Sequence, residues 1–266
     1  MNKKNLIINS TLLFSIATSA TMTLHEFGHC MMAIFFNAKE VALYHNYASY
    51  KLEELPLKAQ IFTAAAGPLF SLLLGIVFHI LCSRYSKRNI FFLFLLYMSA
   101  FGYIAFGGYL MIAPIFANGD TGFICNALQF PIWLTIIVAL GGVAFMLYTM
   151  KLLSRYFVEV ATQEIINDNS HRREFFNTLI KFPLYLGIVI TTLLNLPAPA
   201  FVSLAYPLFS PLNLLWSYGY CIDANYVAPK ANTALNHLCK VSPYLIIAFI
   251  LTIIYNRFLV YGMHWN

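Results

Sequence analysis

Residues His25-Glu26-Phe27-Gly28-His29 put two imidazoles four positions apart, with a carboxylate beside the first. On a helix, positions i and i+4 share one face. His25 and His29 can therefore grip one Zn²⁺, while Glu26 stands next to them as a general base. The flanks are apolar: Leu6 to Ala17 upstream and Cys30 to Phe36 downstream contain no charged residue. Three ionisable side chains inside such a segment are costly to keep, and a functional site is their default reading.

The rest of the chain has to position that group. Of its 266 residues, 60% are hydrophobic and 10% charged, against roughly 25% charged in a soluble domain. The expected class is an all-α polytopic membrane protein, with the lipid bilayer as its surroundings. A pI near 9.0 raises a nucleic-acid partner, but the basic residues lie between apolar runs, so no nucleic-acid partner is expected. Lys3, Lys4 and the small residues Thr18-Ser19-Ala20 resemble a signal peptide. Apolar character resumes at once through Phe36, which favours a retained helix.

Stretches near the ~20 residues needed to span a bilayer run over 5–36, 57–82, 90–113, 131–153, 182–204 and 241–260. About six transmembrane helices are thus expected. The piece 205–220 carries Pro207 and Pro211 and reads as an interfacial or re-entrant segment. With the N-terminus inside, Lys3, Lys4, Arg84, Lys87, Arg88, Lys151, Arg155, Arg172, Arg173, Lys181 and Arg257 fall inside. Lys39, Lys51, Lys58, Lys230 and Lys240 fall outside. This bias predicts cytoplasmic N- and C-termini and places the histidines toward the outer side. The chain divides into a core over 1–153, a polar connector or surface helix over 154–181, and a two-helix region with an outer loop over 182–266. In that loop Cys221 and Cys239 could pair in an oxidising compartment, or the loop could be a plain connector.

A catalytic zinc site usually takes three protein ligands and leaves one position open. Of the ten acidic residues, Glu40, Glu53, Glu54, Glu159, Glu164, Asp168, Glu174 and Asp223 lie in polar loops. Asp120 follows the third apolar stretch within Ala117-Asn118-Gly119-Asp120-Thr121-Gly122, whose Asn and Gly residues favour a break. Its depth matches that of His25, which makes it the third ligand. The plainer reading is a turn-forming Asp. Cys30 and Cys125 read as small buried residues.

These features together resemble the site-2 protease family of intramembrane zinc metalloproteases, over roughly the first 150 residues. His25-Glu26-Phe27-Gly28-His29 matches its zinc motif. Ala66-Gly67-Pro68-Leu69-Phe70-Ser71 is similar to its Gly-Pro motif, with Ser71 where the family usually has Asn. Pro114 through Asp120 resembles its aspartate segment, with Thr121 where Gly is usual. The resemblance implies a three-helix metalloprotease core, one Zn²⁺ per chain and a transmembrane protein substrate cleaved in a bacterial cytoplasmic membrane. Glu26 would be the catalytic base, with Ser71, Asn118, Gly67 and Pro68 as oxyanion or substrate contacts. The alternative is a proteolytically inactive relative acting as a membrane binding or regulatory protein. A transporter is less favoured, because no repeat or multi-helix polar pattern is present.

Overall fold

The computed structural model describes residues 2–51, 55–198, 201–223 and 240–265. Helix α1 (Lys3–Phe35) is unbroken and about 50 Å long at 1.5 Å per residue. It ends where Asn37 enters the left-handed region at φ 59°. There Ala38 N–H bonds Ala33 O and Asn37 N–H bonds Ile34 O, the paired closure of a Schellman turn. The chain then forms a hairpin of β1 (Lys39–Leu43) and β2 (Ala48–Lys51) where a polar loop is expected. Further helices are α2 (Leu57–Arg84), α3 (Ile90–Ile112), α4 (Asp120–Ala127), α5 (Ile132–Val158), α6 (Gln163–Asn167) and α7 (Asn169–Phe176). A π-helical turn (Asn177–Lys181) leads into α8 (Phe182–Leu194). After it come α9 (Phe201–Phe209), a 3₁₀ turn (Ser210–Asn213), α10 (Leu214–Ile222), α11 (Pro243–Leu259) and β3 (Met263–Trp265).

The class is all-α, with one small antiparallel sheet in the order β2-β1-β3. Among the described residues, five helical runs are long and apolar enough to cross a membrane: α1, α2, α3, α5 and the continuous run Asn169–Leu194. That fifth run starts earlier and stops sooner than the expected 182–204. Its beginning is the supposed surface helix, in which Arg172, Phe175 and Phe176 are buried. The π turn has a covalent reason. Pro183 has no N–H for the carbonyl of Leu179, and the Tyr97 hydroxyl donates to that carbonyl instead, at 2.8 Å. Helix α11, at 17 residues, is shorter than the five.

Helices α1 and α3 form the interior, and α2, α5, α8 and α11 pack around them. This explains why α1 carries Asn9, Ser10, Thr11, Ser15, Thr18, Ser19, Thr21 and Thr23, all buried: its neighbours are helices, not lipid. Gly107 and Gly142 face each other across the α3–α5 seam, where an added Cβ would crowd the Met146 side chain at the first and the Gly107 carbonyl at the second. That pair serves helix packing.

In the C-terminal region, residues 201–222 form a broken helical run. They run from beside Tyr109, near the sheet, to the opposite end, where Ser217 donates to Met150 O and Arg172 to Cys221 O. This broken pass reverses the direction of everything after it. Asn9, near the start of α1, bonds Lys240 O, and β3 pairs with β1 beyond the far end of α1. The first and last described residues therefore lie at opposite ends of the fold. Cys221 sits at the end shared with Lys3. It is buried, and its thiol donates to Ser154 O at 3.6 Å. Cys239, and with it the proposed pairing, lies outside the described residues.

Candidate metal centre

His25 and His29 project from one face of α1 about one turn before its last two turns. Asp120 opens α4, with Gly119 as the residue before the helix. The break that carries it is held closely: an added Cβ on Gly122 would lie 2.0 Å from Phe116 O, so only Gly fits there. Asn126 Nδ2 also donates to Ala117 O at 3.1 Å, tying the two ends of the turn together.

These elements bring three ligand atoms into a small triangle. His25 Nε2 lies 3.0 Å from Asp120 Oδ2, His29 Nε2 lies 3.2 Å from the same oxygen, and the two Nε2 atoms are 3.1 Å apart. Protonation can be assigned from what the other ring nitrogens touch. His29 Nδ1 is 2.8 Å from Thr63 O. A carbonyl only accepts, so the neutral ring carries its proton on Nδ1 and leaves Nε2 as a lone pair. His25 Nδ1 is 3.0 Å from Ser71 Oγ, which can accept in the same way. Three electron-pair donors then face one another with no hydrogen between them. That arrangement suits a cation. Donor atoms around a tetrahedral ion with bonds of about 2.0–2.1 Å stand roughly 3.3 Å apart, close to the observed triangle. Among the described residues this His25, His29 and Asp120 group is able to hold a metal ion.

The Gly-Pro segment of α2 stands behind the ligands. Gly67 leaves room for His29, because an added Cβ would lie 2.2 Å from its Nε2. Pro68 has no N–H to close the turn onto Ala64. Ser71 is fully buried, with its Oγ against His25 Nδ1. A residue of this kind fixes the tautomer and ring angle of a ligand. Asn118 is exposed in the turn ahead of Asp120.

Glu26 is nearly buried, at 9% exposure. The backbone N–H of Ala48, the first residue of β2, faces its carboxylate. Both histidines are also buried, whereas the Asp120 side chain is 21% exposed, so the centre opens on the Asp120 side. Cys30 donates its thiol to Ala42 O at 3.7 Å, and Cys125 is buried. Neither joins the ligand group.

Sequence reasoning missed three supports. Thr63 contributes only its carbonyl, which no residue type reveals. Tyr109 stacks flat on His25, with centroids 4.6 Å apart and planes 9° from parallel, but in sequence it is one more aromatic in an apolar run. Ala48 enters through a hairpin that had no clear turn signature. No family model, curated protein or solved structure matches the chain.

Proposed function

We propose that this chain is an intramembrane zinc metalloprotease, similar to the site-2 protease family, which hydrolyses peptide bonds in or near transmembrane segments of other proteins. One observation carries the reading: the two imidazole lone pairs and the Asp120 carboxylate converge at 3.0–3.2 Å beside Glu26, within a helix of membrane-spanning length. A binding-only site has no need of that adjacent base.

His25, His29 and Asp120 would hold the ion, which when bound supplies Lewis acidity toward water and a carbonyl oxygen. The steps of the chain's own groups follow. Glu26 takes the proton of the attacking water and hands it to the leaving amine. Its near-burial keeps bulk water from competing. Ser71 and Thr63 hold the two rings so that the lone pairs stay aimed at one point. A helical substrate hides its carbonyls, so the segment must unwind. β2 is an edge of the sheet and begins at the N–H facing Glu26. An extended peptide pairing along it would bring its carbonyls alongside the base.

For the location, we infer a multi-pass protein of a bacterial cytoplasmic membrane. In the described fold, Lys3, Lys4, Arg84, Lys87, Arg88, Lys151, Arg155, Arg172, Arg173, Lys181 and Lys240 fall in the half nearer the start of α1. Lys39, Lys51, Lys58 and Arg257 fall in the other half. By the positive-inside rule the start of α1 faces the cytoplasm, and the centre lies in the opposite half.

The test pairs metal content with turnover. Purified wild type should hold one zinc per chain by elemental analysis, and His25→Ala and Asp120→Ala should hold far less. Glu26→Gln should keep its zinc and lose at least ~10²-fold of its cleavage of a transmembrane substrate in detergent. Cleavage that survives Glu26→Gln would sink the assigned role.

A further inference from the structure

A cavity of about 310 Å³ lies between the end of α3, the turn before Asp120, and α9 with its following 3₁₀ turn. Two of its walls also hold the metal centre. Tyr109 stacks on His25, and Gly119 is the residue from which the Asp120 helix starts. Ile112 and Phe209 make the lining apolar. One polar group there is unexplained: the Tyr206 hydroxyl is buried and has no hydrogen-bond partner among the described residues. A buried donor left unmade is costly, and its presence calls for an acceptor that comes from elsewhere.

Two further features fit a space kept open for an occupant. The pass that forms one wall is broken by Pro207, inside α9, and by Pro211, in the 3₁₀ turn. Broken backbone at membrane depth is tolerated where it lines a cavity. Gly108 also lines the cavity, and an added Cβ there would have its nearest neighbour, Ser210 Oγ, at 3.6 Å. A side chain at this position is thus sterically allowed, and its absence leaves the volume free. A cavity of about 150 Å³ is enough to hold a benzene ring.

We propose that this cavity is the subsite for one large apolar side chain of the peptide segment lying at the metal centre, with the Tyr206 hydroxyl donating to a main-chain carbonyl of the same segment. The inference rests on the metalloprotease reading. The shared walls set the distance: an occupant touching Tyr109 and Gly119 is one residue layer from His25 and Asp120, about the offset between a scissile bond and a neighbouring side chain.

The experiment uses the full chain in detergent, zinc-loaded, with model transmembrane peptides that contain a central Gly-Pro break and differ at one adjacent position. In the Glu26→Gln background, a peptide carrying photoreactive benzoylphenylalanine at that position should cross-link to residues 108–116 and 205–210, read by mass spectrometry. Gly108→Leu, which fills the cavity, should cut this cross-link about tenfold. In the active enzyme, kcat/KM for Leu, Met or Phe at that position should exceed that for Ala by roughly tenfold or more. Gly108→Leu should bring the ratio close to one. Tyr206→Phe should lower kcat/KM about five- to tenfold across the series. Cross-links that map elsewhere, or that are unchanged in Gly108→Leu, overturn the subsite. Cross-links at the cavity without cleavage of any peptide would leave the subsite standing and remove the protease reading.

Discussion

A histidine that offers Nε2 to a metal is aimed by whatever holds its Nδ1, and α2 supplies both holders here. Ser71 Oγ meets His25 and the Thr63 carbonyl meets His29. Ser71→Ala should therefore weaken zinc affinity by about 10–100-fold, in line with other outer partners of ligating histidines, while the chain still folds. Competition with a zinc-responsive dye would measure it, and an unchanged affinity would count against the positioning role. Gly67→Ala should act more severely, because the new methyl lands on His29 Nε2. Zinc content should fall well below one per chain, while Gly141→Ala, whose added Cβ meets nothing within 4 Å, should retain it. The grouping of His25, His29 and Asp120 was legible in sequence, since i, i+4 spacing and the scarcity of acidic residues leave few combinations. The role of Ser71 was not, because it depends on the contact between two helices and not on spacing within one.

Secondary elements impose their own constraints. The β1–β2 hairpin is tied to the end of α8 by one shared carbonyl: His45 Nε2 donates to Asn195 O at 3.2 Å, and Asn46 Nδ2 donates to it at 2.9 Å. Arg257 binds the adjacent carbonyls of Leu194 and Leu196. Burial holds the His45 pKa below its usual value despite that hydrogen bond, and the Arg257 charge adds to the depression. The neutral ring is thus the folded form. The clamp contributes fully above the ordinary histidine pKa of about 6.5. It weakens as pH falls below that value, because the unfolded or detached hairpin takes up the proton first. Hydrogen-exchange protection of residues 39–51, corrected for the intrinsic pH dependence of exchange, should fall between about pH 6.5 and 5 in wild type, and His45→Gln should flatten that dependence. The hairpin escaped the sequence reading because Lys39 to Lys51 alternates weakly and Glu40, at φ 56°, bulges β1. The long apolar helices were easier to find, since length and hydropathy alone specify them.

Seen as a whole, the described residues run seven times between the two ends of the fold, in α1, α2, α3, α5, α7–α8, α9–α10 and α11, and five of these runs are long and apolar enough to cross a membrane. An odd number leaves the first and last described residues on opposite sides. Reporter fusions make this measurable: a fluorescent protein after Lys4 and alkaline phosphatase after Trp265 should both be active in cells, and activity of either on the other side would refute the arrangement. The sequence expectation puts both ends on one side because Pro207 and Pro211 make α9–α10 read as an interfacial segment, and counting that run as a pass inverts everything downstream. The sheet carries a further consequence, in time. Leu43 pairs with Met263, so β1 waits for its third strand until every pass has been made. At about 5–20 residues per second, that delay is on the order of ten to forty seconds. The hairpin that meets Glu26 therefore stays only half-braced during synthesis, and the wall beside the candidate metal centre is finished last, after its neighbouring helices are already in place.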